Sequence, residues 1–346
     1  VNVAIFTDVR VFTQLESEWN SLVQRSVSNT IFATWDWCYH WWQAYQPGTL
    51  WVLALRDEAQ RLVGLAPWFI EQHPARGRLV RCIGSDDVTD YLDVIVDRDC
   101  TGAVYAALAQ TLADCDEHFE ALDLSNIPAD SPTRTLFVAA LEQQHFVTEV
   151  QPQEVCPLIR LPESFEGYLE TALDGKQRGE IRRKLRKAEG YNASMGTLSW
   201  YIVDGTHDLE AEMERFMQLM ALSHPEKAAF LTRPEHVAFF RRIIPAALAR
   251  GWLQLNFLLV DGEAAAAYFN FDYNGQILVY NSGLNPRKFA DLSPGIVLLA
   301  YNIRHAIEQG RTVFDFLRGN EQYKYRMGAV DTTVYRLQAQ PAPATA

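Results

Sequence analysis

The chain has few cysteines, no long apolar run and too little positive charge for a polyanion-binding protein. Cys38, Cys82, Cys100, Cys115 and Cys156 are odd in number and never form a CxxC pair. That argues against a zinc site or a disulfide framework and leaves buried, reduced thiols as the expectation. No stretch approaches the roughly 18 apolar residues a spanning helix needs. The opening "VNVAIFTDVR" has no basic n-region, so no signal peptide is expected and a cytoplasmic location is. With 31 Lys and Arg against 43 Asp and Glu, the net charge is −12. Such a chain repels nucleic acid overall, so an anionic partner requires a local basic patch. What remains is a chain of 346 residues, 48% hydrophobic, with enough apolar content for two domains of ordinary size.

Helical and strand periods alternate along it, which predicts an α/β or α+β fold. "VFTQLESEWNSLVQRS" repeats apolar residues at helical spacing, as does "TWDWCYHWWQAYQP", with Trp35, Cys38, Trp42 and Tyr45 on one face. Two strands around a polar turn follow in "TLWVLALRDEAQRLVGLAPWFIEQ", then a strand "YLDVIVD", a helix "TGAVYAALAQTLADC" and a strand "FEALDLSNIP". The second half repeats this order. Strands joined at Asp261-Gly262 and Asn274-Gly275, both hairpin signals, lead to a helix "SPGIVLLAYNIRHAIEQG" and a strand "TVFDFLRG". Ser293 is expected to cap that helix, Pro294 to open it and Gly310 to end it. Asp123 and Asp315 then hold equivalent places in two copies of one unit. The Pro/Ala-rich end "QAQPAPATA" is expected to be disordered.

The segments "LPESFEGYLETALDGKQRGEIRRKLRKAEG", "DGEAAAAYFNF", "SGLNPRKFADLSPGIVLL" and "FDFLRGNEQYKYRMG" resemble successive signatures of the CelD-like GNAT acyltransferases, relatives of the Fem-type aminoacyltransferases of peptidoglycan synthesis. The resemblance spans about residues 155–330, with a further likeness in "RCIGSDDVTDYLDVIVD". It implies two tandem GNAT-like domains, each a mixed, mostly antiparallel sheet flanked by helices. The boundaries read as 1–155, a degenerate copy, and 156–338, the acyltransferase copy, with a tail at 339–346. It also implies acyl transfer to an amine in a cleft between the domains, built mainly by the second. The expected co-substrate is acyl-CoA, with no permanently bound cofactor. The expected acceptor is an amine of a sugar or cell-envelope precursor, as in polysaccharide biosynthesis. Aminoacyl-tRNA is the rival donor, and a non-catalytic ligand-binding protein the rival class.

Such a transfer needs a base for the amine, a stabiliser for the oxyanion and help for the departing thiolate. "GNEQYK" matches the family's G-x-E-x-Y-K segment, and the first copy has no counterpart of it. Glu321 is the candidate base, Lys324 the charge stabiliser and Tyr323 the acid at the sulfur; a solvated C-terminal turn is the other reading. In the loop "NPRKFADLSPG", Arg287, Lys288, Ser293 and Gly295 precede a helix N-terminus suited to a pyrophosphate, although the family's usual glycine pattern is absent. The run "GKQRGEIRRKLRKAEG" would bury Ile181, Leu185 and Ala188 and expose Arg178, Arg182 and Arg183, either as a solvated face or as a phosphate site. Asp86, Asp87, Asp90 and Tyr91 form a turn or hold the acceptor's ammonium. Trp35, Trp37, Trp41 and Trp42 read as core or as a sugar-stacking wall. His224 and Lys227 resemble a family H-x-x-R/K position, with His224 as a helix cap or a substrate contact.

Overall fold

The structure, a computed structural model, describes residues 1–84 and 88–342. The chain divides into two units, Val1–Val155 with the C-terminal segment from Thr333, and Cys156–Thr332.

In the first unit β1 (Asn2–Phe6), α1 (Arg10–Arg25) and α2 (Trp35–Tyr45) precede β2 (Thr49–Arg56), β3 (Leu62–His73), β4 (Gly77–Cys82) and the short β5 (Ile95–Val96). Then come α3 (Thr101–Asp114), β6 (Ala121–Pro128), α4 (Leu136–Gln143) and β7 (Phe146–Arg160), which ends in the second unit. Strands β1 to β4 are antiparallel neighbours, and β6 then joins β4 in parallel at Leu79↔Ala121 and Val80↔Leu122. The expected strand "YLDVIVD" shrinks to β5 because it meets β3 only at Gly64 and Leu65.

The second unit repeats the plan. After α5 (Phe165–Thr171) and α6 (Gly175–Ser194) come β8 (Leu198–Ile202), α7 (Leu209–Ser223), α8 (Pro225–Phe230) and α9 (Pro234–Ala249). Next are β9 (Leu253–Val260), β10 (Glu263–Tyr273), β11 (Gln276–Leu284), α10 (Pro294–Glu308), β12 (Val313–Asp315), α11 (Gln322–Arg326) and β13 (Val330–Pro341). Strands β8 to β11 are antiparallel neighbours, and β12 joins β11 in parallel. Each unit is therefore an antiparallel run, a crossover helix and one parallel pair, closed by a further antiparallel strand. β7 closes the second unit against β12, and β13 closes the first against β6. That pairing carries the chain from Thr333 back to the first unit, whereas the sequence boundary left it in the second domain up to 338. It also orders the chain to Pro341; residues 343–346 lie outside the described residues.

Local chemistry explains most of these elements. The β9–β10 and β10–β11 turns have positive φ at Asp261 (53°) and Gly262 (78°), and at Asn274 (50°) and Gly275 (73°), the geometry for which those residues were read. Helix α10 starts with Pro294 and gives way to Gly310 at φ 69°. Ser293, however, does not cap it by its side chain: at φ 52° and ψ 53° the residue is left-handed and makes no side-chain cap bond. Helix α2 buries Trp37, Cys38, Trp41 and Trp42, while Trp35 stacks on Tyr39 and donates its indole N–H to Phe12 O, so the buried face is turned from the expected one. Trp37, Trp41 and Trp42 are core, not an open stacking wall. No helix among the described residues is long and apolar enough to cross a membrane.

Asp123 in β6 is fully buried and accepts from Arg336 in β13 through two bonds of 2.6 Å, and from Arg76 at 2.7 Å. Burial alone would raise its pKa; the two guanidinium groups, Arg336 first, outweigh that and hold it below the ordinary carboxylate value. A depressed folded pKa contributes stability above the unfolded value of about 3.9 and loses it as pH falls through the folded value. Asp123→Asn should lower stability at pH 7 by about 3–5 kcal/mol, the cost of leaving one side of a buried ion pair unmatched. Urea denaturation should show the deficit shrinking below pH 4; a variant as stable as the parent at pH 7 would contradict this role.

Candidate functional site

β11 and β12 pair only at Gln276↔Val313, Ile277↔Phe314 and Leu278↔Asp315. Beyond that point β11 continues to Leu284, while the other chain turns away through Leu317 at φ 58° and Gly319 at φ 108°. Buried Asp315 supports the turn, its Oδ1 accepting from Leu317 N–H at 2.7 Å. Strand β11 also carries a bulge, since Phe269 pairs with Asn281 but Asn270 pairs with Val279. A crevice thus opens at the carboxyl ends of two parallel strands joined by a helix, the usual place for a ligand in an α/β sheet.

The segment after β12 brings Glu321, Tyr323 and Lys324 to this crevice. Lys324 is buried, and its ammonium donates to Leu317 O (3.2 Å), Arg318 O (2.6 Å) and Gly319 O (3.0 Å) and pairs with Glu321 Oε2 (2.9 Å). Four acceptors for three N–H groups leave no donor for a reacting oxygen. Lys324 therefore fastens the turn, in place of the expected charge stabiliser. Glu321 is exposed, at the N-cap of α11, with its carboxylate folded over Gly319. Tyr323 is half-buried, edge-on to Phe316 with centroids 6.0 Å apart. Burial, then the neighbouring Tyr268 and Glu321, push its phenol pKa well up. Tyr268 donates to Gly295 O at 3.3 Å, which sets this pair of phenols beside the first turn of α10.

From the other side α8 supplies Lys227. Its amine donates to Ser282 O at 2.5 Å and to Ser282 Oγ at 3.2 Å, both on β11. Burial pulls its pKa down to about 8, and the charge of Glu321 acts the opposite way. The sequence reading placed its weight on His224 instead. His224 caps α8, its Nδ1 accepting from Glu226 N–H at 3.3 Å, and its side chain is exposed. The H-x-x-K spacing at a helix start was the one signal for Lys227.

Of the expected anion-binding residues, Arg287 is exposed and Lys288 pairs with Glu263 at 2.6 Å. Ser293 and Gly295 lie at the start of α10, where Ser293 O accepts from Ile296 and Val297 N–H. Helix α6 begins at an Asp174–Gln177 capping box and buries Ile181, Leu185 and Ala188 as expected. Arg178 is half-buried, Arg182 pairs with Glu166, and Arg183 is exposed. The cations that meet a cavity are others. Lys184 of α6 and Arg326 of α11 line a concavity with Gln177, Glu180, Ile296 and Tyr323.

In the first unit the corresponding opening between β4 and β6 is filled by the chain itself. Leu92 N–H donates to Asn126 O (3.0 Å), Asn126 Nδ2 to Thr89 O (2.8 Å), Thr89 Oγ1 to Gly84 O (2.7 Å) and Trp37 Nε1 to Thr89 Oγ1 (3.0 Å). Asp90 and Tyr91 are half-buried in this plug, Tyr91 edge-on to Phe32; Asp86 and Asp87 lie outside the described residues.

The family described as "Acetyltransferase (GNAT) domain" matches residues 175–325. No curated protein matches the sequence. Among solved structures, "Crystal structure of FemX" is similar over 97% of both chains at 12% identity and TM-score 0.68. A conserved protein of unknown function from Bacteroides thetaiotaomicron VPI-5482 is similar over 94% of this chain and 97% of its own, at 11% identity and TM-score 0.59. L-PGS from Bacillus licheniformis covers 95% and is covered over 92%, at 10% identity and TM-score 0.55. These likenesses establish the fold over nearly the whole chain.

If Lys324 holds the turn at 317–319, Lys324→Met should cost about 1–3 kcal/mol by removing the donor to one buried and two partly buried carbonyls. Thermal unfolding should show it, with Lys288→Met as the exposed control within about 0.5 kcal/mol of the parent. A Lys324→Met chain that melts with the parent would contradict the assignment.

Proposed function

We propose that this chain, whose residues 175–325 match a GNAT acetyltransferase domain, is an N-acyltransferase that moves an acyl group from acyl-CoA to an amine of a sugar or cell-envelope precursor. The observation that carries this reading is the convergence of four features of the second unit. Ile296 in the first turn of α10, Tyr323, Lys184 (paired with Glu180 at 2.8 Å) and Arg326 line one concavity. A helix N-terminus with two cations suits a phosphate-bearing donor.

In this reading the donor's phosphates lie under α10 and its thioester enters the crevice. Tyr323 holds its proton tightly and serves as a hydrogen-bond donor to the departing sulfur. Glu321, exposed at the mouth, draws in the acceptor as its ammonium. The family's Fem-type branch offers aminoacyl-tRNA as the rival donor, and the likeness to FemX in fold makes it the alternative to test.

Thermal unfolding with acetyl-CoA, a nucleotide sugar and aminoacyl-tRNA separates these readings. A true ligand at about 100 times its dissociation constant adds about 2.7 kcal/mol to the folded state. Acetyl-CoA should raise the melting temperature, and Lys184→Glu with Arg326→Glu should weaken its binding by about tenfold at low salt and less at high salt. Stabilisation by aminoacyl-tRNA alone would favour the Fem-type donor. Binding of acetyl-CoA without release of thiol in the presence of any amine would leave a ligand-binding protein.

A further inference from the structure

We propose that Lys227 is the proton carrier of this transfer: as a neutral amine it takes a proton from the acceptor's ammonium, and as an ammonium it returns that proton to the departing thiolate. The proposal rests on the acyl-transfer reading and adds a residue to it.

The geometry accommodates a neutral amine. Lys227 Nζ has two acceptors, Ser282 O and Ser282 Oγ. A neutral amine has two N–H donors and one lone pair, so Ser282 satisfies both donors and leaves the lone pair available. Lys324, one helical turn past Glu321, shows the opposite arrangement, with three carbonyls and a carboxylate around one ammonium. Two lysines approach the same crevice; one is ringed by three carbonyls and a carboxylate, the other meets a single serine. Lys227 also lies against β11, on the strand that borders the crevice after the bulge.

The other candidates fit the task less well. Glu321 Oε2 already accepts from Lys324, and Tyr323 holds its proton too tightly to give it to a thiolate. Lys227, near 8, is matched to the operating pH of a base. The charged groups around it are few. Among the described residues, Glu321 at the N-cap of α11 is the charge that acts on it; β11 offers Ser282; at its own helix Glu226 and His224 are turned to solvent, with side chains 90% and 58% exposed.

The step balances as follows. The acceptor R–NH₃⁺ gives one proton to Lys227 Nζ. Its lone pair forms the C–N bond to the thioester carbonyl, whose π pair moves to oxygen. As that pair returns, the C–S bond breaks. The nitrogen sheds its second proton to water, and the thiolate takes the proton held by Lys227. The products are an amide, a free thiol and one proton in solution.

Two measurements test this on the full chain. Trace acetylation with acetic anhydride between pH 6 and 11, read at Lys227 by peptide mass mapping, should give a half-point near pH 8. Glu321→Gln should move it lower, because it removes the charge that favours the ammonium. A half-point near 10, or no movement in the variant, overturns the proposal. Thiol release from acetyl-CoA with a panel of amino sugars should fall by about 10²–10³-fold in Lys227→Met and in Lys227→Arg, with KM for acetyl-CoA little changed. Lys227→Arg keeps the charge but cannot act as the base, so full turnover in it reduces Lys227 to a structural cation and overturns the proposal while sparing acyl transfer. A parent chain that releases no thiol with any amine overturns both.

Discussion

One buried ammonium holds the candidate site open. Lys324 gathers the carbonyls of residues 317 to 319, one buried and two partly buried, and satisfies all three from one ammonium. The turn needs positive φ at Leu317 and Gly319, and Asp315 steadies it from the strand side. Because the chain turns there, β12 is only three residues long and its pairing with β11 ends at Leu278↔Asp315. The crevice, the approach of Lys227 to Ser282 and the placing of Tyr323 beside α10 all follow from that early departure.

The two units show what happens when the same plan lacks this device. Both have an antiparallel run, a crossover helix and a parallel pair. In the first unit the strand after the helix carries, two residues before its end, a buried Asn126 with φ 57°, whose amide and carbonyl bind the segment around Thr89 and Leu92. The opening is sealed by hydrogen bonds and by Trp37. Asp123, in the place of Asp315, is tied to two arginines instead of a turn. One copy keeps the crevice and the other has become a packed domain.

Features decided by short-range chemistry were legible in the sequence. Asp-Gly and Asn-Gly turns require positive φ, and few other dipeptides meet that need cheaply, so both hairpins and their flanking strands could be read. The apolar stripe of α6 and the opening of α10 by Pro294 were equally local. The resemblance to GNAT acyltransferases carried the fold, and it singled out the segment at Glu321 to Lys324 that follows β12. What failed depended on the third dimension. Nothing in "GNEQYK" says that three carbonyls turn inward to absorb the lysine's charge. The left-handed Ser293 follows from the 3-10 turn at Ala290–Leu292 before it, not from its own preference. The return of β13 to the first unit is a long-range pairing with no local signal. Lys227 was visible only as the second half of a pair whose histidine looked more chemical.

Amide hydrogen exchange of the full chain with and without acetyl-CoA tests the central claim most directly, that the crevice of the second unit is a thioester site. Bound donor should slow exchange in residues 279–284, 294–298 and 316–327, and leave residues 88–92 of the first unit unchanged. Protection confined to the first unit, or none in the β11 and α10 segments at saturating acetyl-CoA, would contradict it.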